Sequence, residues 1–299
     1  MEQLRMKPAP RTYWHLAQLG RRPNDYDVGS SRLLFYPERG LSTGAAIRPW
    51  LRRYQIESPL QCRDWDAFRD PRETTYASYA QLQRTQEAFV DGVLDAADDR
   101  RLDPAWLARL GSILPVLRFP CHALQMVASY LGTLAPGGRV AIACAFHAAD
   151  ELRRVQRLAY RMRQLQHVDA SFGVAARDHW ETAPAWQPLR ELIERLLVAY
   201  DLGEALIALH VAVLPRFDEL FVVELAALAR RNGDDALANL LHSLGEDCRW
   251  HRAYGGALVE LLANKRPENA AAIAAWQGRW EPLAARAVAA AAALFEAAP

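Results

Sequence analysis

Glu151 and Arg154 stand three residues apart in a long helical stretch, from about Arg139 to His167. That spacing sets two side chains one turn apart on the same helix face. In helical bundles that hold two irons, the same spacing carries Glu-x-x-His, with both side chains ligating. Here arginine takes the place of histidine, and a guanidinium has no lone pair to give a metal. Val140, Cys144, Ala148, Leu152, Val155, Ala159 and Met162 recur at steps of three and four, the period of one buried face. Glu151 and Arg154 lie beside Leu152 and Val155, so the pair is expected inside, its guanidinium where metal charge would otherwise sit.

The remaining residue types give no second ligand set. A two-iron bundle needs two Glu-x-x-His pairs and two further carboxylates. The residues three positions before the eight histidines are Thr12, Phe119, Cys144, Gln164, Ala176, Ile207, Asn239 and Cys248, none of them acidic. The stretch from Ala105 to Gly137 contains no acid at all. By helix order Glu204 takes the place of the later single carboxylate. Cys248-Arg249-Trp250-His251 takes that of the second pair, with cysteine for glutamate. Glu151, Glu204 and His251 are too few for two irons, so no catalytic, cofactor-binding or metal residue is expected on this chain. Asp98-Asp99 and Asp234-Asp235 resemble magnesium-binding acidic pairs, but each is short and reads better as a helix cap. No phosphate-cradling glycine loop or nucleotide fingerprint occurs. Cys62, Cys121, Cys144 and Cys248 are spaced as reduced thiols of a cytoplasmic protein.

The elements that must position these residues are helical. With 299 residues, 51% of them hydrophobic, and nine tryptophans, the chain can bury a large core. A net charge of +1 gives no reason to expect nucleic acid or an anionic membrane as partner. The only lysines among the basic residues are Lys7 and Lys265; the rest are arginine, which suits bidentate pairing with carboxylates. The N-terminus lacks the apolar run of a signal peptide, and charges interrupt the alanine-rich tail, so no membrane span is expected. From Pro71 onward helix signals dominate. Asp103-Pro104 is a cap followed by proline at the first helical position. Ala135-Pro136-Gly137-Gly138 and Asn232-Gly233 are turns, Pro188 and Pro267 open helices, and 168–187 is a connector. A helix over Glu73–Asp98 is expected to bury Tyr76, Tyr79, Leu82, Phe89, Val93 and Leu94. No segment alternates as a strand does. The fold class is all-α: a helical domain over 71–299 preceded by an arm over 1–70. In the arm, Pro8, Pro10, Pro23, Pro37, Pro49 and Pro59 interrupt helix, and an extended course is expected. Tyr13, Trp14, Phe35, Tyr36 and Trp50 are its candidate interface anchors.

The sequence resembles a known family at Arg11-Thr12-Tyr13-Trp14-His15-Leu16-Ala17, Pro23-Asn24-Asp25-Tyr26-Asp27, Ser58-Pro59-Leu60, Asp64-Trp65-Asp66-Ala67-Phe68 and Asp201-Leu202-Gly203-Glu204-Ala205. These are similar to the β subunit of the hydroxylase in bacterial toluene, alkene and isoprene monooxygenases. The resemblance implies a ferritin-like bundle whose di-iron ligands are lost. The di-iron centre then belongs to a partner α subunit, and a γ subunit completes a doubled assembly. An effector protein, a Rieske ferredoxin and an NADH-linked reductase serve the complex, which adds oxygen from O2 to an aromatic or alkene. On this reading Glu151, Arg154, Glu204, Cys248 and His251 are the core of a vestigial site. An autonomous all-α enzyme or ligand-binding protein with an unrecognised site is the competing reading.

Overall fold

The computed structural model describes residues 14–31 and 47–296. Among these there is helix and no strand. The prolines do not keep the arm extended throughout. A short 3-10 turn runs Trp14–Leu19, α1 spans Asp25–Ser31, and α2 (Ile47–Leu51) continues into a wide π-turn over Arg52–Ile56. The 3-10 turn and α1 fit between prolines, and α2 carries Pro49 in its first turn, where the missing N–H has no helical partner to lose. This part of the arm packs on its own chain. Tyr26, Leu51, Leu60 and Phe68 are buried, and Asp27, fully buried, pairs with Arg69 at 2.7 Å. Trp50 rests on Tyr54 and Tyr200 and donates its indole N–H to Tyr130 at 3.0 Å, leaving one edge exposed. Tyr13, Phe35, Tyr36 and the side chain of Trp14 lie outside the described residues.

The helical domain follows the expected punctuation. α3 (Tyr76–Asp95) starts on a capping box made by Thr75 and Ser78. α4 (Pro104–Gly111) begins with Asp103 accepting from the Ala105 N–H and Pro104 at the first position. α5 (Arg118–Leu134) and α6 (Gly138–Leu165) form a hairpin, and a connector holding α7 (Ala176–Thr182) leads to α8 (Gln187–Leu197). A continuous helical rod then runs from Leu202 to Arg231. It comprises α9 (Leu202–Ile207), α10 (Leu214–Asp218) and α11 (Leu225–Arg231), joined by π-turns over Ala208–Val213 and Glu219–Glu224. The helix expected to open at Pro188 ends at Leu197, and Asp201 caps the rod that follows. α12 (Asp235–Lys265) and α13 (Asn269–Glu296) complete the bundle, α12 beside α3, α6 and α11, and α13 against α8 and the rod. The rod meets α13 closely at Gly203, where a Cβ would fall 2.5 Å from Leu60 and 2.7 Å from Trp276.

Two helix faces differ from the apolar-periodicity reading. On α6 the inward side carries His147, Asp150, Glu151, Arg153, Arg154 and Arg161, all buried, and Leu152 is exposed. On α3, Tyr76, Leu82 and Phe89 are exposed, whereas Gln86, Val90 and Leu94 are buried. The cause is the same in both. Arg153 pairs with Asp247 at 2.7 Å and Glu87 at 2.6 Å, Arg161 with Asp234 at 2.9 Å and Asp99 at 2.7 Å, and Gln83 donates to Asp150 and Asp247. Polar groups enter the interior where opposite charges from a neighbouring helix satisfy them, and that requirement overrides the apolar stripe. Asp99 and Asp234 thereby bracket a guanidinium, and Asp234 also caps α12.

Candidate functional site

The centre of the bundle gathers Cys121 from α5, Glu151 and Arg154 from α6, Asp218 from the rod, and Cys248 and His251 from α12, all buried. One group from each of two helices, plus a pair three residues apart from each of two others, is the ligand layout of a two-metal bundle. The chemistry at those positions is different. Arg154 reaches Glu151 at 3.4 Å and Asp218 at 3.3 Å, and donates to the Cys248 sulfur. Cys121 borders the same guanidinium. Burial pushes Cys248 well up and Cys121 to about 12, so both remain thiols rather than metal-ready thiolates. Burial raises Glu151 and Asp218 too, while Arg154 pulls them back. Burial opposes the charge on Arg154, but its partners hold it above the ordinary arginine value. A cation that cannot ligate occupies the middle of the layout, and the remaining carboxylate and imidazole donors in it are Glu151, Asp218 and His251. The residues do not fit a di-iron centre.

Of the five residues grouped from the sequence, the structure brings four together and sets the fifth apart. Glu151, Arg154, Cys248 and His251 meet. Glu204 does not: it sits at the start of the rod, accepting from Arg279 at 2.7 Å and Trp280 at 3.0 Å near the surface. Asp218, further along the same rod, is the acid that reaches the centre. It was missed because no histidine or arginine at helical spacing marks it, and an intervening π-turn defeats counting by turns.

A second set was missed as well. His147 lies four residues before Glu151, so a search for acids preceding histidines passes over it. Its Nε2 is 3.6 Å from Glu151 Oε1, and His251 Nδ1 is 3.9 Å from the same oxygen. The two imidazoles stack with centroids 3.7 Å apart. His147 Nδ1 bonds Tyr254 Oη at 2.7 Å, which bonds His210 Nε2 at 3.2 Å. His251 Nε2 bonds Asp150 at 3.0 Å, and Asp150 also accepts from Tyr79 and Gln83. Burial depresses all three histidines well below the usual imidazole value and lifts Asp150 to about 7. Gly255 makes room for His210, whose ring would stand 2.3 Å from a Cβ there.

Comparison with known proteins places this geometry among hydroxylases. The sequence profile of the Methane/Phenol/Alkene Hydroxylase family matches residues 50–266. The toluene-4-monooxygenase hydroxylase component subunit beta of Ectopseudomonas mendocina is 34% identical over 292 residues, covering 94% of this chain and 89% of that one. A propane 2-monooxygenase hydroxylase small subunit from a Gordonia species is 29% identical over 232 residues, covering 74% of this chain and 63% of that one. Among solved structures, a chain of toluene 4-monooxygenase superposes with a TM-score of 0.89 at 33% identity, covering 97% of this chain and 99% of that one. A chain of the phenol hydroxylase from Pseudomonas sp. OX1 shares the fold, with a TM-score of 0.83 at 19% identity, covering 98% of this chain and 91% of that one.

Proposed function

The chain belongs to the methane, phenol and alkene hydroxylase family, and from that premise we propose that it is the β-type, non-catalytic scaffold subunit of a multicomponent monooxygenase. The observation that carries this reading is Arg154. It stands between Glu151 and Asp218 where a two-iron bundle would place a ligand and its metals. An interior held together by guanidinium–carboxylate pairs keeps the bundle's shape without the iron that its layout was built for.

On this reading the reacting centre is a di-iron site in a partner α subunit. A γ subunit completes a doubled assembly, and electrons from NADH arrive through a reductase and a Rieske ferredoxin, with an effector protein docking on the hydroxylase. The substrates are aromatics or alkenes, as the name of the toluene relative suggests. This chain's contribution is positional: it fixes α and shapes the surface on which the others dock. Buried free cysteines agree with a cytoplasmic setting, and no helix among the described residues is long and apolar enough to cross a membrane.

Co-expression with a hydroxylase α subunit of the same family tests the proposal. The expected result is a stable complex whose iron is all coordinated by α, seen by anomalous scattering at the iron edge. Hydroxylation by this chain alone, or two irons ligated by Glu151, Asp218 and His251, would overturn it.

A further inference from the structure

We infer that His147, Glu151 and His251 form a binding site for a single divalent cation of zinc type, which shares Glu151 and His251 with the two-iron layout and adds His147. His147 is not part of that layout, and Arg154 blocks its other half. The three residues are fully buried, and their His147 Nε2, Glu151 Oε1 and His251 Nδ1 atoms lie within 4.8 Å of one another. None of these atoms has a hydrogen-bond partner, nor has Glu151 Oε2.

The surrounding hydrogen bonds turn this into a ligand set. In the tautomer whose Nε2–H donates to Asp150, the Nδ1 lone pair of His251 faces Glu151. In the matching arrangement His147 Nδ1–H donates to Tyr254 Oη, and the Tyr254 hydroxyl donates to His210 Nε2. The Nε2 lone pair of His147 then faces Glu151 as well. Two imidazole lone pairs and a carboxylate oxygen converge on one point with no donor among them. Acceptors left facing each other in a dry interior need a cation between them.

Distance and charge fit one ion. Nitrogen and oxygen donors about 2.0–2.1 Å from a tetrahedral centre stand about 3.4 Å apart. The observed 3.6 and 3.9 Å are too long for hydrogen bonds, and a contraction of a few tenths of an ångström closes them on such a centre. Octahedral coordination at the same bond length would bring donors to about 3.0 Å, a poorer match. Glu151 and Asp218 share one buried guanidinium, that of Arg154, while Arg153 serves Asp247, Glu87 and, at longer range, Asp150. Arg252, a third exposed, adds a screened charge 3.9 Å from Asp218. Glu151 and Asp218 together carry more negative charge than the one buried arginine between them, and a cation beside Glu151 offsets the excess. Two histidines with a carboxylate are a zinc donor set, and buried partners on their second ring nitrogens are its usual support.

The test loads the full-length protein with Zn2+, removes loosely held metal by gel filtration, and measures zinc by mass spectrometry. About one zinc per chain is expected. His147→Gln and His251→Gln should abolish it. Asp150→Asn, which keeps all three ligands, should weaken it at least about tenfold in chelator competition. Exposed His242→Gln should leave it unchanged. A crystal of the wild-type protein in its complex should show an anomalous peak at the zinc edge between His147 and His251, a readout that needs no variant to fold. A wild-type chain that retains no zinc and shows no such peak would overturn the inference, with a shared proton then holding the three groups. So would equal zinc in the His147→Gln and wild-type chains.

Discussion

Replacing Arg154 with alanine tests whether its charge holds the core together. The guanidinium is buried and stands between Glu151 and Asp218, so its loss leaves two buried carboxylates without their cation. Breaking a buried pair in this way costs about 3–5 kcal/mol, which in a domain of this size lowers Tm by about 5–8 °C. Arg154→Met keeps most of the volume and removes the charge, so a loss of similar size would assign the effect to electrostatics rather than to a cavity. The triple variant Arg154→Met, Glu151→Gln, Asp218→Asn removes the orphaned charges and should recover most of the loss. The pH dependence has a definite sign. Without Arg154 the two carboxylates titrate higher still in the folded state, so folding takes up protons, and the deficit against wild type should shrink between pH 8 and pH 5. Urea denaturation across that range reads the result. A loss under about 1 kcal/mol, or a deficit that does not change with pH, would refute the charge-replacement argument.

Other perturbations follow from the same geometry. His147, His210 and His251 are neutral in the fold and protonate in the unfolded chain below about pH 6.5, so each contributes stability above that pH that is lost on acidification. His210→Gln should therefore flatten the acid-side fall in stability by about 1.4 kcal/mol per pH unit, as read from urea midpoints between pH 4.5 and 6.5. Gly255→Ala should cost about 1–3 kcal/mol by driving a Cβ into the His210 ring, and His210→Ala in the same chain should relieve most of that loss. Deletion of residues 1–24, which removes the buried Leu16 and two partners of Asp27, should lower Tm only slightly but impair assembly with α. Deletion through residue 60 should also lower Tm, because Tyr26, Leu51 and Leu60 belong to the core. Intact assembly and activity after the shorter deletion would remove the arm from the interface.

The sequence revealed the frame of the site better than its contents. Caps at Asp103 and Asp234, the turn at 135–138, and the pair Glu151–Arg154 were legible because each is local chemistry at fixed spacing. The inward faces of α3 and α6 were not, because Gln86, Arg153 and Arg161, with the half-buried Gln83, are drawn inward by partners outside their own helices, and no periodicity within one helix reports that. Asp218 and His147 were hidden for the same reason. One has no spaced companion, and the other has its acid on the far side of the usual motif order. Glu204 drew attention by its place in helix order, and the tertiary fold gave it to Arg279 and Trp280 instead.

The π-turns at Ala208–Val213 and Glu219–Glu224 bear on how relatives are aligned. A π-turn holds one more residue than the α-helical turn it replaces, while the helix on either side keeps its orientation. The rod can therefore lose a residue within either turn without moving Leu202, Asp218 or Arg231 out of place. Length differences of a single residue are expected inside this helix, where alignments normally forbid gaps. For a residue lost from Glu219–Glu224, a gap forced into the loop before Leu202 instead would shift the correspondence of the rod up to that turn by one position and pair Asp218 with a neighbour that points away from the centre.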